Sequence, residues 1–154
     1  MALDDAPLCT AVLSAAMAGR PAPILPHPLL DALVEAHRAG QAAPAAKRHE
    51  KVAGVLVDGV RDGTVLPVFL NVLGLLNLVQ QHAGANGASV AVLAEALAPL
   101  FLEAGGAHVD RESREWRFQT GRARTVLAFL IENVYVMFPP QVSLSLSLSL
   151  SLSL

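Results

Sequence analysis

The sequence predicts an all-α fold of about six helices, and three observations carry that expectation. Hydrophobic residues make up 53% of the 154 positions while aromatics make up only 5%. Much of the apolar content is Ala and Leu, both strong helix formers. The longest apolar stretch, Leu66 to Leu102, repeats its large side chains at i, i+3, i+4 and i+7, the period of a helix face. Proline and glycine clusters then cut the chain into segments of helical length.

Taken in order, residues 5–19 form an amphipathic segment with Pro7 in the first turn and Leu8, Val12, Leu13 and Met17 on one stripe. Gly19 and the run Arg20-Pro21-Ala22-Pro23-Ile24-Leu25-Pro26 end it. Residues 27–40 make a second helix through Leu29, Leu30, Leu33 and Val34, with His37 and Arg38 in its last turn, where cations suit the helix dipole. Residues 41–46 are a loop, and a further helix is expected over about Ala46 to Val60, with Lys47, Arg48 and Lys51 on a solvated face. Gly54 and Gly59 lack the Lys-Ser/Thr that completes a phosphate-binding loop, so they read as packing glycines. Asp62-Gly63 is a turn.

The stretch 66–102 reads as two helices. The first turns Phe69, Val72, Leu73, Leu76, Val79 and Ala83 to one side and gathers Asn71, Asn77, Gln80 and Gln81 on the other; Leu70 and Leu78 intrude on that polar side, which predicts cover on most sides. Asn86-Gly87 makes the turn, and Ser89 is the N-cap of the second helix. That helix runs through Val92, Leu93, Ala96, Leu97, Leu100 and Phe101, with Pro99 expected to kink or end it. Residues 103–119 alternate acids (Asp110, Glu112, Glu115) with Arg111, Arg114 and Arg117, the pattern of a mobile surface loop; Trp116 within it packs the loop down or anchors a partner. The last helix, about Thr120 to Phe138, presents Leu127, Leu130, Ile131, Val134, Met137 and Phe138, and Pro139-Pro140 stop it. The chain thus divides into a helical domain over 4–140 and a low-complexity tail over 141–154, in which Ser-Leu is repeated six times from Ser143.

Composition excludes several function classes. The net charge of −2 creates no field that would gather nucleic acid. Mean hydropathy is high at +0.48, yet the run Val65–Val79 is broken by Pro67, Asn71 and Asn77 and is shorter than the ~20 residues a transmembrane helix needs. The lone Cys9 fits a reducing, cytoplasmic setting, and the acidic start Asp4-Asp5 is unlike a secretory leader. His27, His37, His49, His82 and His108 have neither an i, i+4 pair nor a Cys partner, so no metal site is expected. No constellation supports a small-molecule enzyme, and no cofactor is implied.

Four ordered motifs carry a resemblance: Pro21-x-Pro23-Ile24-Leu25; Leu66-Pro67 followed by a long helix; Asn86, then Leu93-Ala94, then Pro99-Leu100-Phe101-Leu102; and Phe129-Leu130-Ile131-Glu132-Asn133. Together they resemble the C-terminal two-thirds to three-quarters of the Rho GTPase-activating (RhoGAP) domain. The resemblance implies a cytoplasmic signalling regulator, not itself an enzyme, whose partner is a GTP-loaded small Rho-family GTPase. Activators of this kind insert an arginine that stabilises charge on the transferred phosphoryl group. The family's Gly-x-Phe-Arg-x-x-Gly finger loop has no counterpart here, so the chain reads as beginning after it. The family's helix lysine and arginine fall at Ser14 and Ala18, its asparagine before Leu-Ala at Val92, and the polar residue after its proline at Leu100. Asn86 and Pro99 are retained. The partner-binding candidates are therefore Asn86, Pro99 and Trp116, with Arg20 as a substitute finger. The alternative is a non-catalytic interaction scaffold derived from such a domain, choosing partners through Trp116 or the Pro-rich segment; a third reading is a fragment of a longer protein.

Overall fold

A computed structural model describes residues 22–60, 63, 65–103 and 109–139. The expected helix over 5–19, Arg20 and the tail over 141–154 lie outside these residues. Among the described residues the chain is all helical: α1 (His27–Gly40), α2 (Ala45–Gly59), α3 (Val65–Gln81), the single turn α4 (Ala83–Asn86), α5 (Val90–Leu102) and α6 (Arg114–Met137).

α1 and α2 start beside prolines, Pro26 and Pro44, whose fixed φ feeds a helix while offering no N–H that would go unpaired. The two helices lie along one another. Gly40 permits the close approach, since a Cβ there would collide with the Arg48 side chain. The buried stripe of α1 is Leu29, Leu30, Leu33 and Ala36, with Val34 only half-buried. Gly54 is not a packing glycine: a Cβ there would meet nothing within 4 Å.

α3 corrects two expectations. Asn77 does not face outward. It lies at i+4 from Leu73 and i+7 from Leu70, on the apolar face, and is only 5% exposed. Burial is tolerated because its amide donates to the Ile131 carbonyl at 2.8 Å and its Oδ1 accepts from Gln81 at 2.7 Å. Nor is α3 covered on most sides, because Val68, Leu75 and Leu78 remain exposed. Asn77→Ala should therefore destabilise the fold by ~1–3 kcal/mol, the cost of losing a buried hydrogen bond and its packing. Chemical denaturation followed by helical circular dichroism measures it.

The turn after α3 behaves as expected in its chemistry. Gly87 takes φ 70°, a left-handed conformation open to glycine at no steric cost. Ser89 caps α5, its Oγ accepting from the Val92 N–H at 3.4 Å. α5 does not stop at Pro99 but continues one turn to Leu102. A proline so near the end disturbs little, and the Glu103 N–H closes that turn on the Pro99 carbonyl at 3.1 Å. The buried stripe of α5 is Leu93, Ala94, Leu97, Ala98, Phe101 and Leu102; Val92 is 51% exposed, and Leu100 is half-buried.

α6 holds the domain together. It packs against α1, α2, α3 and α5, and both α3 and α5 rest more extensively on it than on each other. It also begins two turns earlier than expected, at Arg114. The stretch 114–119 is not a loop: Ser113 caps the helix by accepting from the Trp116 N–H at 3.1 Å, and Glu115 sits in the first turn where the dipole favours an acid. Ala123, Val126, Leu127, Leu130, Ile131 and Val134 carry the core along it. No helix among the described residues is long and apolar enough to cross a membrane.

Candidate partner-binding cleft

Two of the four candidates meet in space. Pro99, near the end of α5, and Trp116, in the first turn of α6, line one cleft of about 200 Å³. Its other walls are Glu95, Ala98, Arg111, Arg117, Thr120 and Arg124. Pro99 has no N–H to offer the Glu95 carbonyl, which is thereby left without its usual helical partner at the cleft's edge. Trp116 is half-buried and rests against the core. Its turn is stiffened by the Ser113 cap below and by the Thr120 hydroxyl, which donates to the Trp116 carbonyl at 2.9 Å.

Three arginines face one glutamate across this cleft. Arg111 pairs with Glu103 at 2.7 Å, outside the lining, and Arg124 approaches Glu95 only to 3.7 Å. Arg117 is exposed and has no carboxylate partner among the described residues. The surface therefore presents guanidinium donors around an indole and a proline ring. Guanidinium groups pair with carboxylates, and the indole and proline ring between them offer apolar contact area. Among the described residues no three His, Cys, Asp or Glu side chains come together to hold a metal ion.

The other two candidates stand apart. Asn86 has both polar ends committed to its own turn: Nδ2 donates to the Val79 carbonyl at 3.0 Å, and Oδ1 accepts from the Ala88 N–H at 2.8 Å. It shapes the α3–α5 connection and has little left for a partner. Arg20 lies outside the described residues.

A second cluster is not evident from the sequence. His37 of α1 and His49 of α2 flank the Phe129 ring of α6, with centroids 4.7 Å and 5.7 Å away, and the Arg48 guanidinium lies 5.9 Å from the same ring. Arg48 is thus half-buried rather than part of a solvated face. Asn133 donates to the Phe129 carbonyl at 2.8 Å, which turns its Oδ1 to His49 Nε2 at 3.0 Å. His37 is not a solvated helix-end cation. Burial first, and the Arg48 charge second, lower its pKa below 6.5. The signal for His37 was present, because it continues the Leu30 and Leu33 stripe at helical spacing.

The depressed pKa has a sign. Below pH 6.5 the unfolded chain takes up this proton more readily than the folded one, so His37 contributes stability that is present above pH 6.5 and lost as pH falls through the lower folded-state value. Denaturation at pH 8 and pH 5 should show a smaller acid loss for His37→Gln than for the parent.

No protein-family model, curated protein or solved structure matches the chain.

Proposed function

We propose that this domain is a non-catalytic interaction module that regulates signalling by binding a small Rho-type GTPase through the α5–α6 cleft. The observation that carries the reading is the convergence of Pro99, the position named by the resemblance to GTPase activators, with Trp116 and three arginines on one concave surface. Aromatic and arginine side chains together are the commonest anchors of protein interfaces. The resemblance supplies the partner class, and the cleft supplies a surface with the chemistry to hold it.

Calorimetry with a Rho-type GTPase loaded with a non-hydrolysable GTP analogue, and separately with GDP, tests the proposal. Micromolar binding that favours the GTP form supports it; no heat with either form overturns it. Single-turnover hydrolysis in the presence of excess domain should not accelerate. An acceleration removed by Arg20→Ala would make the module an activator after all.

One observation favours the scaffold reading. Asn86 spends both polar ends within its own turn, so a retained asparagine is no sign of a retained GTPase face. On that reading the cleft takes acidic segments of other proteins. Absence of GTPase binding, together with an acidic peptide that shifts the emission of Trp116, the single tryptophan, would distinguish it.

A further inference from the structure

The guanidinium side of the α5–α6 cleft is only partly satisfied from within the chain. Arg117, Thr120 and Arg124 fall at i, i+3 and i+7 and share one face of α6. Arg117 and Arg124 stand about 10 Å apart along the helix axis, a gap that two arginine side chains can close from either end. Arg124 approaches Glu95 no closer than 3.7 Å, with both side chains half exposed or more. Arg117 has no carboxylate partner among the described residues, whereas Arg111 is held at the rim by Glu103.

A second carboxylate gains little in this setting, because it offers Arg124 nothing that Glu95 does not already offer. A phosphate group carries about −1.5 to −2 charge and three acceptor oxygens. It can take Arg124 from Glu95 and keep an oxygen for the planar fork of Arg117. The other walls point to a peptide as its carrier. Pro99 leaves the Glu95 carbonyl at the cleft's edge without its helical donor, which makes it an acceptor for a backbone N–H. Trp116 and the Pro99 ring offer apolar area to a neighbouring residue. The cleft holds about 200 Å³, enough for a side chain and part of its neighbour but below the ~300–1,000 Å³ of sites that enclose a small molecule.

We propose that the α5–α6 cleft reads a phosphorylated peptide segment, with Arg117 and Arg124 on the phosphate and Trp116 against an adjacent apolar residue. The proposal rests on the reading of this cleft as the partner-binding surface, and it adds the regulation: phosphorylation of the partner switches binding on.

The test uses the full chain and three peptides, Gly-Ala-X-Leu-Ala-Gly, in which X is phosphoserine, glutamate or serine. Emission of Trp116, the single tryptophan, follows their binding. The phosphoserine form should bind at least roughly tenfold more tightly than the glutamate form, the equivalent of one charge-assisted hydrogen bond, and the serine form more weakly still. Arg117→Gln should lower that preference about tenfold with helical circular dichroism unchanged. Arg38→Gln, an exposed position on α1, should leave the preference intact. Equal binding of the phosphoserine and glutamate forms overturns the proposal and keeps a cleft for acidic partners. A preference that survives Arg117→Gln combined with Arg124→Gln overturns it too. So does inorganic phosphate that shifts the emission at the same concentration as the phosphopeptide, which would make a free anion the ligand. Absence of a response to all three peptides also overturns it; heat from a GTPase in that case would keep the cleft as a surface for a folded partner.

Discussion

Phe101→Ala is expected to remove ~3–5 kcal/mol of folding stability, the range for deleting a buried aromatic ring. Phe101 is 1% exposed and meets Phe69 edge-on, with centroids 5.4 Å apart and planes at 65°. Such pairs add ~0.5–1.5 kcal/mol to what burial alone contributes. The residue also ties down the chain entering the domain, because its carbonyl accepts from the Leu25 N–H at 2.9 Å and Leu25 is itself fully buried. A small domain holds only ~5–15 kcal/mol in total, so this single change takes a large share. Urea denaturation should show a lower midpoint at unchanged slope. Phe118→Ala is the control: Phe118 is 58% exposed, and its loss should stay within about ±0.5 kcal/mol. A loss below about 1 kcal/mol for Phe101→Ala would mean that α3 and α5 close over the space, contrary to a tightly packed α3–α5–α6 core.

The core that makes Phe101 costly was largely legible in the sequence. Leu29, Leu30 and Leu33, then Phe69, Leu73 and Leu76, then Leu93, Leu97 and Phe101 fall where the 3.6-residue period puts them. α1 and α2 begin and end within a residue of the expected bounds because prolines and glycines punctuate them. Where polar residues ride on the apolar face, the period is right and residue type misleads. Residue type sends Asn77 and His37 toward solvent, whereas position sets Asn77 inside and His37 half-buried at the core's edge. In each case a buried partner makes the position tolerable, the Ile131 carbonyl for Asn77 and the Phe129 ring for His37. Periodicity does fail at the start of α6, where Arg114 to Arg117 carry no apolar stripe. The Ser113 cap and Glu115 were the available signals, and they are local cues that charge alternation obscures.

The cleft was legible only in pieces. Pro99 and Trp116 each stand out, one by motif and one as the single tryptophan, set in a charged stretch, but nothing local states that they are neighbours. Their meeting depends on α5 lying along α6 and on Trp116 belonging to a helix rather than a loop. The helical start also changes what Trp116 can do. In a mobile loop, a partner would have to order the indole on binding; at the capped first turn of α6 that ordering cost is already met by the fold.

Trp116→Ala should therefore weaken partner binding by ~2 kcal/mol or more, about 30-fold in Kd, as truncation of an aromatic anchor does. Because Trp116 also rests on the core, the variant loses some stability, and Trp116→Phe separates the two effects. Phenylalanine keeps the apolar body, so it should restore stability while recovering only part of the affinity, the remainder belonging to the indole N–H and ring area. Arg117→Glu acts on a different quantity. Arg117 is exposed at the rim and unpaired among the described residues, so reversing its charge should slow association with an acidic partner and flatten the salt dependence, with a smaller effect on dissociation. Stopped-flow association at two ionic strengths reads both. If the Trp116→Ala and Arg117→Glu proteins bind as the parent does, the partner sits elsewhere and the α5–α6 cleft is only a crease between two packed helices.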